Sequence, residues 1–186
     1  MVFFMAVACD GGNTGNKDSE IDDDMEEEKT FAVEASYSNL AEIKMGELAQ
    51  SKAASETVAQ FAGTMVKEHT TALRELRAIS EEQDIAIPDT LKMEHKRIQD
   101  EISALEGEAF DSAYMHQQVQ AHQQAQQLFQ NGINEDANPS FLNYARTTLE
   151  HINAHLVRAE EIVGAENTAG KDGRPATEND PVDKPE

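Results

Sequence analysis

The stretch Ser55-Glu56-Thr57-Val58-Ala59-Gln60-Phe61-Ala62-Gly63-Thr64-Met65-Val66-Lys67-Glu68-His69-Thr70-Thr71-Ala72-Leu73-Arg74-Glu75-Leu76 decides the fold. Steps of three and four residues pick out Val58, Ala62, Met65, His69, Ala72, Leu76 and then Ile79, whereas no alternation at period two persists. Ser55 is a natural N-cap, and the pattern runs to about Gln83 before Pro88 interrupts it. A single stripe of this kind belongs to a helix that buries one face against other helices.

The same period continues on both sides. From Thr30 to about Ala53 the inward stripe is Phe31, Ala35, Ser38, Glu42, Met45 and Ala49. Asp89 is placed to cap a third helix, carrying Leu91, His95, Ile98, Ile102 and Leu105 and ended by Gly107. Asp111 reads as the N-cap of a fourth, with Phe110 and Met115 set to form a hydrophobic staple across it. That helix presents Met115, Val119, His122, Gln126 and Phe129 and reaches Asn131-Gly132. Asn138-Pro139 pairs a cap with proline at the first helical position and opens a fifth helix, carrying Phe141, Ala145, Thr148, Ile152, His155, Ala159 and Ile162 and ending at Gly164. The expected fold is all-α: an antiparallel four-helix bundle spanning residues 30–164, with the third helix, about 17 residues long, as an additional crossover.

Composition agrees. Aromatic residues make up 5% of the chain and Trp is absent, which favours close packing of small helical residues over an aromatic-rich sandwich. No apolar run is long enough for a membrane-spanning helix, and one cysteine cannot make an internal disulfide. Lys+Arg 15 against Asp+Glu 36 gives a net charge of -21, which argues against nucleic acid as a partner and leaves metal cations or a basic protein. Roughly half of that charge lies in residues 10–29 and 165–186, two acidic, apolar-poor flanks expected to be disordered. Ahead of them, Met1-Val2-Phe3-Phe4-Met5-Ala6-Val7-Ala8-Cys9 is an apolar run ending in small residues before a cysteine. It resembles a bacterial lipoprotein signal, although no Lys or Arg precedes the run and Ala6 stands where Leu is usual. That reading makes residues 1–9 a signal segment, Cys9 the lipidated residue, residues 10–29 a tether and the membrane a partner through the anchor.

Four of the five stripes form the bundle, and each of those four carries one ionisable residue: Glu42, His69, His122 and His155. A buried charge without a partner costs several kcal/mol, so four such groups call for one another or for a shared ion. At about 1.5 Å per residue they lie about 18, about 21, about 17 and about 25 Å from the starts of their helices, near mid-height if the first and fifth helices run opposite to the second and fourth. Three imidazoles and a carboxylate suit Zn, Fe, Mn or Cu. A di-iron carboxylate site needs Glu three residues before its histidines, and here Val66, Val119 and Ile152 stand there, so oxidase chemistry is not expected. Met65 and Met115, one and two turns ahead of their histidines, would suit copper and equally suit core filling. Glu68 is expected at most on the rim, His151 and His116 in solvent, His95 away from the site, and the Gln-rich run 117–130 on the wet face of its helix.

Ala41-Glu42-Ile43 through Gly46, Phe61-Ala62 through Met65 to Glu68-His69, Gly107 with Phe110-Asp111 and Tyr114, then His122 and His155-Leu156 together resemble the exported bacterial family called domain of unknown function 4142. The resemblance implies a ferritin-like bundle and a place in the cell envelope, at the outer membrane or in the periplasm, and it assigns no activity. Two functions are therefore expected as alternatives: a metal-binding envelope protein with Glu42, His69, His122 and His155 as ligands, or a non-enzymatic interaction module in which those residues form a hydrogen-bonded polar layer.

Overall fold

In the computed structural model, residues 17–135 and 138–172 are described, with side chains for 29–134 and 138–165. Their regular structure is entirely helical: α1 (Lys17–Lys52), α2 (Glu56–Glu82), α3 (Met93–Ser103), α4 (Gly107–Glu135) and α5 (Pro139–Asp172). The signal segment 1–9 with Cys9, the start of the acidic tether and residues 173–186 lie outside the described residues.

Short links join α1 to α2 and α4 to α5, making two antiparallel hairpins, and α3 carries the chain between them. α1 packs on α2 and α4, and α5 packs on α4 and α2. One end of the bundle gathers Phe31 from the N-terminal half of α1, Leu76 from late α2, Phe129 from late α4 and Phe141 from the start of α5, so α1 and α5 run opposite to α2 and α4. Phe31 meets Phe129, Phe141 and Tyr144 edge-on, with ring centroids 5.4 to 6.3 Å apart. A second apolar cluster fills the other end, around Met45, Phe61, Met65, Phe110, Tyr114, Met115 and Ile162.

Several boundaries differ from the sequence expectation. α1 starts at Lys17 rather than Thr30, and residues 17–29 contain no Gly or Pro to interrupt a helix. α2 has Ser55 as its N-cap residue, but the Ser55 hydroxyl makes no capping bond. The Asp111 carboxylate accepts the N–H groups of Ala54 (3.1 Å) and Ser55 (2.7 Å) instead. Asp111 therefore sits inside α4 and caps the neighbouring helix, and α4 itself opens at Gly107, whose positive φ of 60° suits glycine. α3 is shorter than expected and begins after Lys92; Asp89 lies ahead of it. α5 begins as read, with Ser140 N–H donating to Asn138 Oδ1 at 2.9 Å, but runs on through Gly164 to Asp172.

Candidate metal centre

Between the two apolar clusters lies a polar layer. His69 of α2, His122 of α4 and His155 of α5 are each at most 6% exposed, and their ring centroids stand 5.3 to 5.7 Å apart in a nearly equilateral triangle. One nitrogen from each ring converges, the three lying within 4.8 Å of one another.

Hydrogen bonds to the opposite nitrogens determine which atoms converge. Asn39 of α1 donates both amide hydrogens, to the Ala35 carbonyl (2.8 Å) and to the Tyr144 hydroxyl (3.0 Å), which turns its Oδ1 toward His69. His69 Nδ1 donates to that oxygen at 3.0 Å, so Nε2 carries the lone pair, and Nε2 is buried with no hydrogen-bond partner. His122 Nδ1 donates to the Gln118 carbonyl at 2.9 Å, which turns Nε2 toward His155 Nδ1, 3.4 Å away. His155 Nε2 donates to Glu68 Oε2 at 2.8 Å, leaving Nδ1 bare. An amide, a carbonyl and a carboxylate thus fix three tautomers, the arrangement by which proteins orient imidazole ligands.

Burial favours the neutral form of His69 and His155. Burial, reinforced by His122, His155 and His151, holds His69 well below the usual histidine range. His155 is lowered by burial and by His122, with Glu68 opposing. A metal takes up neutral imidazole, so these rings need surrender little proton affinity on binding.

Glu42 is buried but stands apart from the convergent nitrogens. Its Oε2 accepts from Gln118 Nε2 at 2.8 Å, and its Oε1 is 4.0 Å from His122 Nδ1, the protonated nitrogen. The structure therefore brings together three of the four expected ligands and puts Glu42 behind one of them. The sequence reading missed the orienting groups. Asn39 is buried where Ser38 was expected, one turn after Ala35, and Gln118 is fully buried although its run reads as a wet face. Glu68 is more than a rim group, since Oε2 also holds His151 Nδ1 at 3.2 Å. Met65 and Met115 both lie in the second apolar cluster. His116 is exposed and bonded to the Ser112 carbonyl. His95 lines a cleft of about 450 Å³ beneath α3, together with Glu42 and Gln118.

The family profile described as "Domain of unknown function (DUF4142)" matches residues 16–162. The chain belongs to this family. The family span covers every described residue of the histidine layer. No curated protein matches the chain. Among solved structures, a DUF305 fragment from Deinococcus radiodurans superposes with a TM-score of 0.67 at 14% identity, covering 75% of this chain and 96% of its own. A DUF305 protein from Streptomyces coelicolor gives 0.67 at 11%, covering 76% and 92%. At these identities the likeness is one of fold.

Proposed function

We propose that the protein binds one divalent first-row metal ion inside the bundle, through His69 Nε2, His122 Nε2 and His155 Nδ1. The observation that carries this reading is the convergence of one nitrogen from each buried ring within 4.8 Å, with His122 Nε2 and His155 Nδ1 3.4 Å apart while the other nitrogen of each ring donates to an oxygen. Donors on a tetrahedral ion with bonds of about 2.0–2.1 Å stand about 3.3 Å apart, close to the spacing of this pair. An all-nitrogen donor set suits zinc, copper or iron better than manganese. Three protein donors leave a fourth position for water or another ligand.

The alternative role, a polar layer that fixes helix register, draws support from the bonds linking Asn39, Tyr144 and His69. Metal content separates the two. Tag-free protein beginning after Cys9 should carry close to one equivalent of metal, and His69→Ala and His155→Ala should lose it. Sub-stoichiometric metal in every preparation, with no thermal shift on adding Zn, Cu, Fe or Mn, would leave only the structural role.

The same proposal places the domain in the cell envelope, tethered through Cys9. Radioactive fatty acid should label the wild type and spare Cys9→Ser; equal labelling of both would remove the anchor.

A further inference from the structure

We infer that metal reaches the three histidines from the face shared by α2 and α5, through a mouth where Glu68 and His151 form an outer, transient cation station. The inference rests on the metal-binding reading above. A cavity of about 210 Å³ between α2 and α5 is lined by His69 and His155 themselves, along with Glu68, Thr71, Thr148 and His151. The larger cleft beneath α3 is lined by none of the three. Its Glu42 and Gln118 face the Nδ1–H side of His122, away from the bare nitrogens. A cation coming from that side meets none of the three histidines in the cavity wall; one coming from the α2–α5 side meets His69 and His155, with the His155 Nε2–H already held by Glu68.

Glu68 and His151 stand where a hydrated ion would first lose water. Glu68 Oε2 lies 3.2 Å from His151 Nδ1 and 2.8 Å from His155 Nε2, and side-chain exposure falls inward from 60% at His151 to 35% at Glu68 and 8% at His155. A carboxylate oxygen and an imidazole nitrogen about 3 Å apart are spaced as two donors to one ion. With only two protein donors and water for the rest, such a station holds metal weakly, and the three buried imidazoles inside hold it more tightly, so transfer runs inward. Lys67 and Glu75, also at the mouth, offset each other in charge, which leaves Glu68 as the local attraction for a cation. The ligand class is a hydrated divalent first-row ion.

Stopped-flow loading with Co²⁺ or Zn²⁺, and release into excess EDTA, test the route on the full chain after Cys9. His151→Leu removes a donor from an exposed position and should slow loading and release together, by about tenfold, with equilibrium affinity unchanged. Thr71→Trp, which narrows the same mouth, should slow both rates as well. Gln124→Leu, in the cleft beneath α3, should leave them unchanged. Unaltered rates in both mouth variants, or slowing by Gln124→Leu instead, would overturn the route. Loss of equilibrium affinity in His151→Leu, matching its loss of loading rate, would overturn the transient station by making His151 part of the final site. A wild-type protein that takes up no metal would defeat the three-histidine reading itself, and this route with it.

Discussion

Each imidazole of the central layer has one nitrogen committed to an oxygen and the other left to its neighbours. Asn39 illustrates how tightly this is set, because both its amide hydrogens are already used and its oxygen has no direction other than His69. Asn39→Ala should therefore lower metal affinity about 10- to 100-fold, as loss of an orienting group does at other metal sites. Competition titration against a chelator of known affinity reads this, and unchanged affinity would show that His69 is held by packing alone. The depressed protonation of His69 and His155 has a second consequence. The unfolded chain takes up protons on these groups near pH 6.5 while the folded apo protein does not, so stability is whole above that pH and is lost as pH falls through it toward the lower folded values. The urea midpoint of apo protein should be lower at pH 5.5 than at pH 7.5, and the difference should shrink in His69→Gln; an equally steep dependence in the variant would assign the effect elsewhere. At this scale the three histidines were legible because an ionisable residue on an apolar stripe is conspicuous. Asn39, Gln118 and Glu68 were not, because neutral amides and a residue adjacent to a stripe look like surface until the helix rotation is known.

Helix existence was the most legible property of the chain, and helix ends the least. The ends depend on partners remote in sequence: Asp111 caps α2 from within α4, and nothing local to either segment announces it. Gly132 shows the same effect inside an element. It reads as a terminator, yet α4 runs through it to Glu135, because a ring fills the space a side chain would occupy. A Cβ built there would lie 2.5 Å from Phe31 Cδ2, and that ring is already held by Phe129, Phe141 and Tyr144. Gly132→Ala gains about 1 kcal/mol of helix propensity but must displace a packed aromatic at about 1–3 kcal/mol. The expected outcome is net destabilisation of about 1 kcal/mol, read as a lower denaturation midpoint. A stabilised variant would show that the aromatic end repacks freely.

At the scale of the whole molecule, the net charge of -21 and the layer of buried imidazoles do different jobs. Eight of the 36 acidic residues precede Thr30 within α1, ahead of a bundle whose interior is two apolar clusters separated by one polar layer. That layer joins side chains from four helices, α1 through Asn39, α2 through His69 and Glu68, α4 through His122 and α5 through His155, so an ion placed there ties both hairpins together at mid-height. Metal bound only by the folded state adds RT ln(1 + [L]/Kd), about 2.7 kcal/mol at a hundredfold excess over Kd. For a domain of this size that is a rise in Tm of about 5–11 °C. The rise should be absent in His69→Ala and in His155→Ala, and retained in Glu42→Gln, since Glu42 stands behind His122 rather than among the converging nitrogens. Calorimetry of the four proteins with and without Zn²⁺ separates the cases: loss of the shift in Glu42→Gln alongside the histidine variants would return Glu42 to the metal, whereas its persistence there assigns binding to the three imidazoles that link the hairpins.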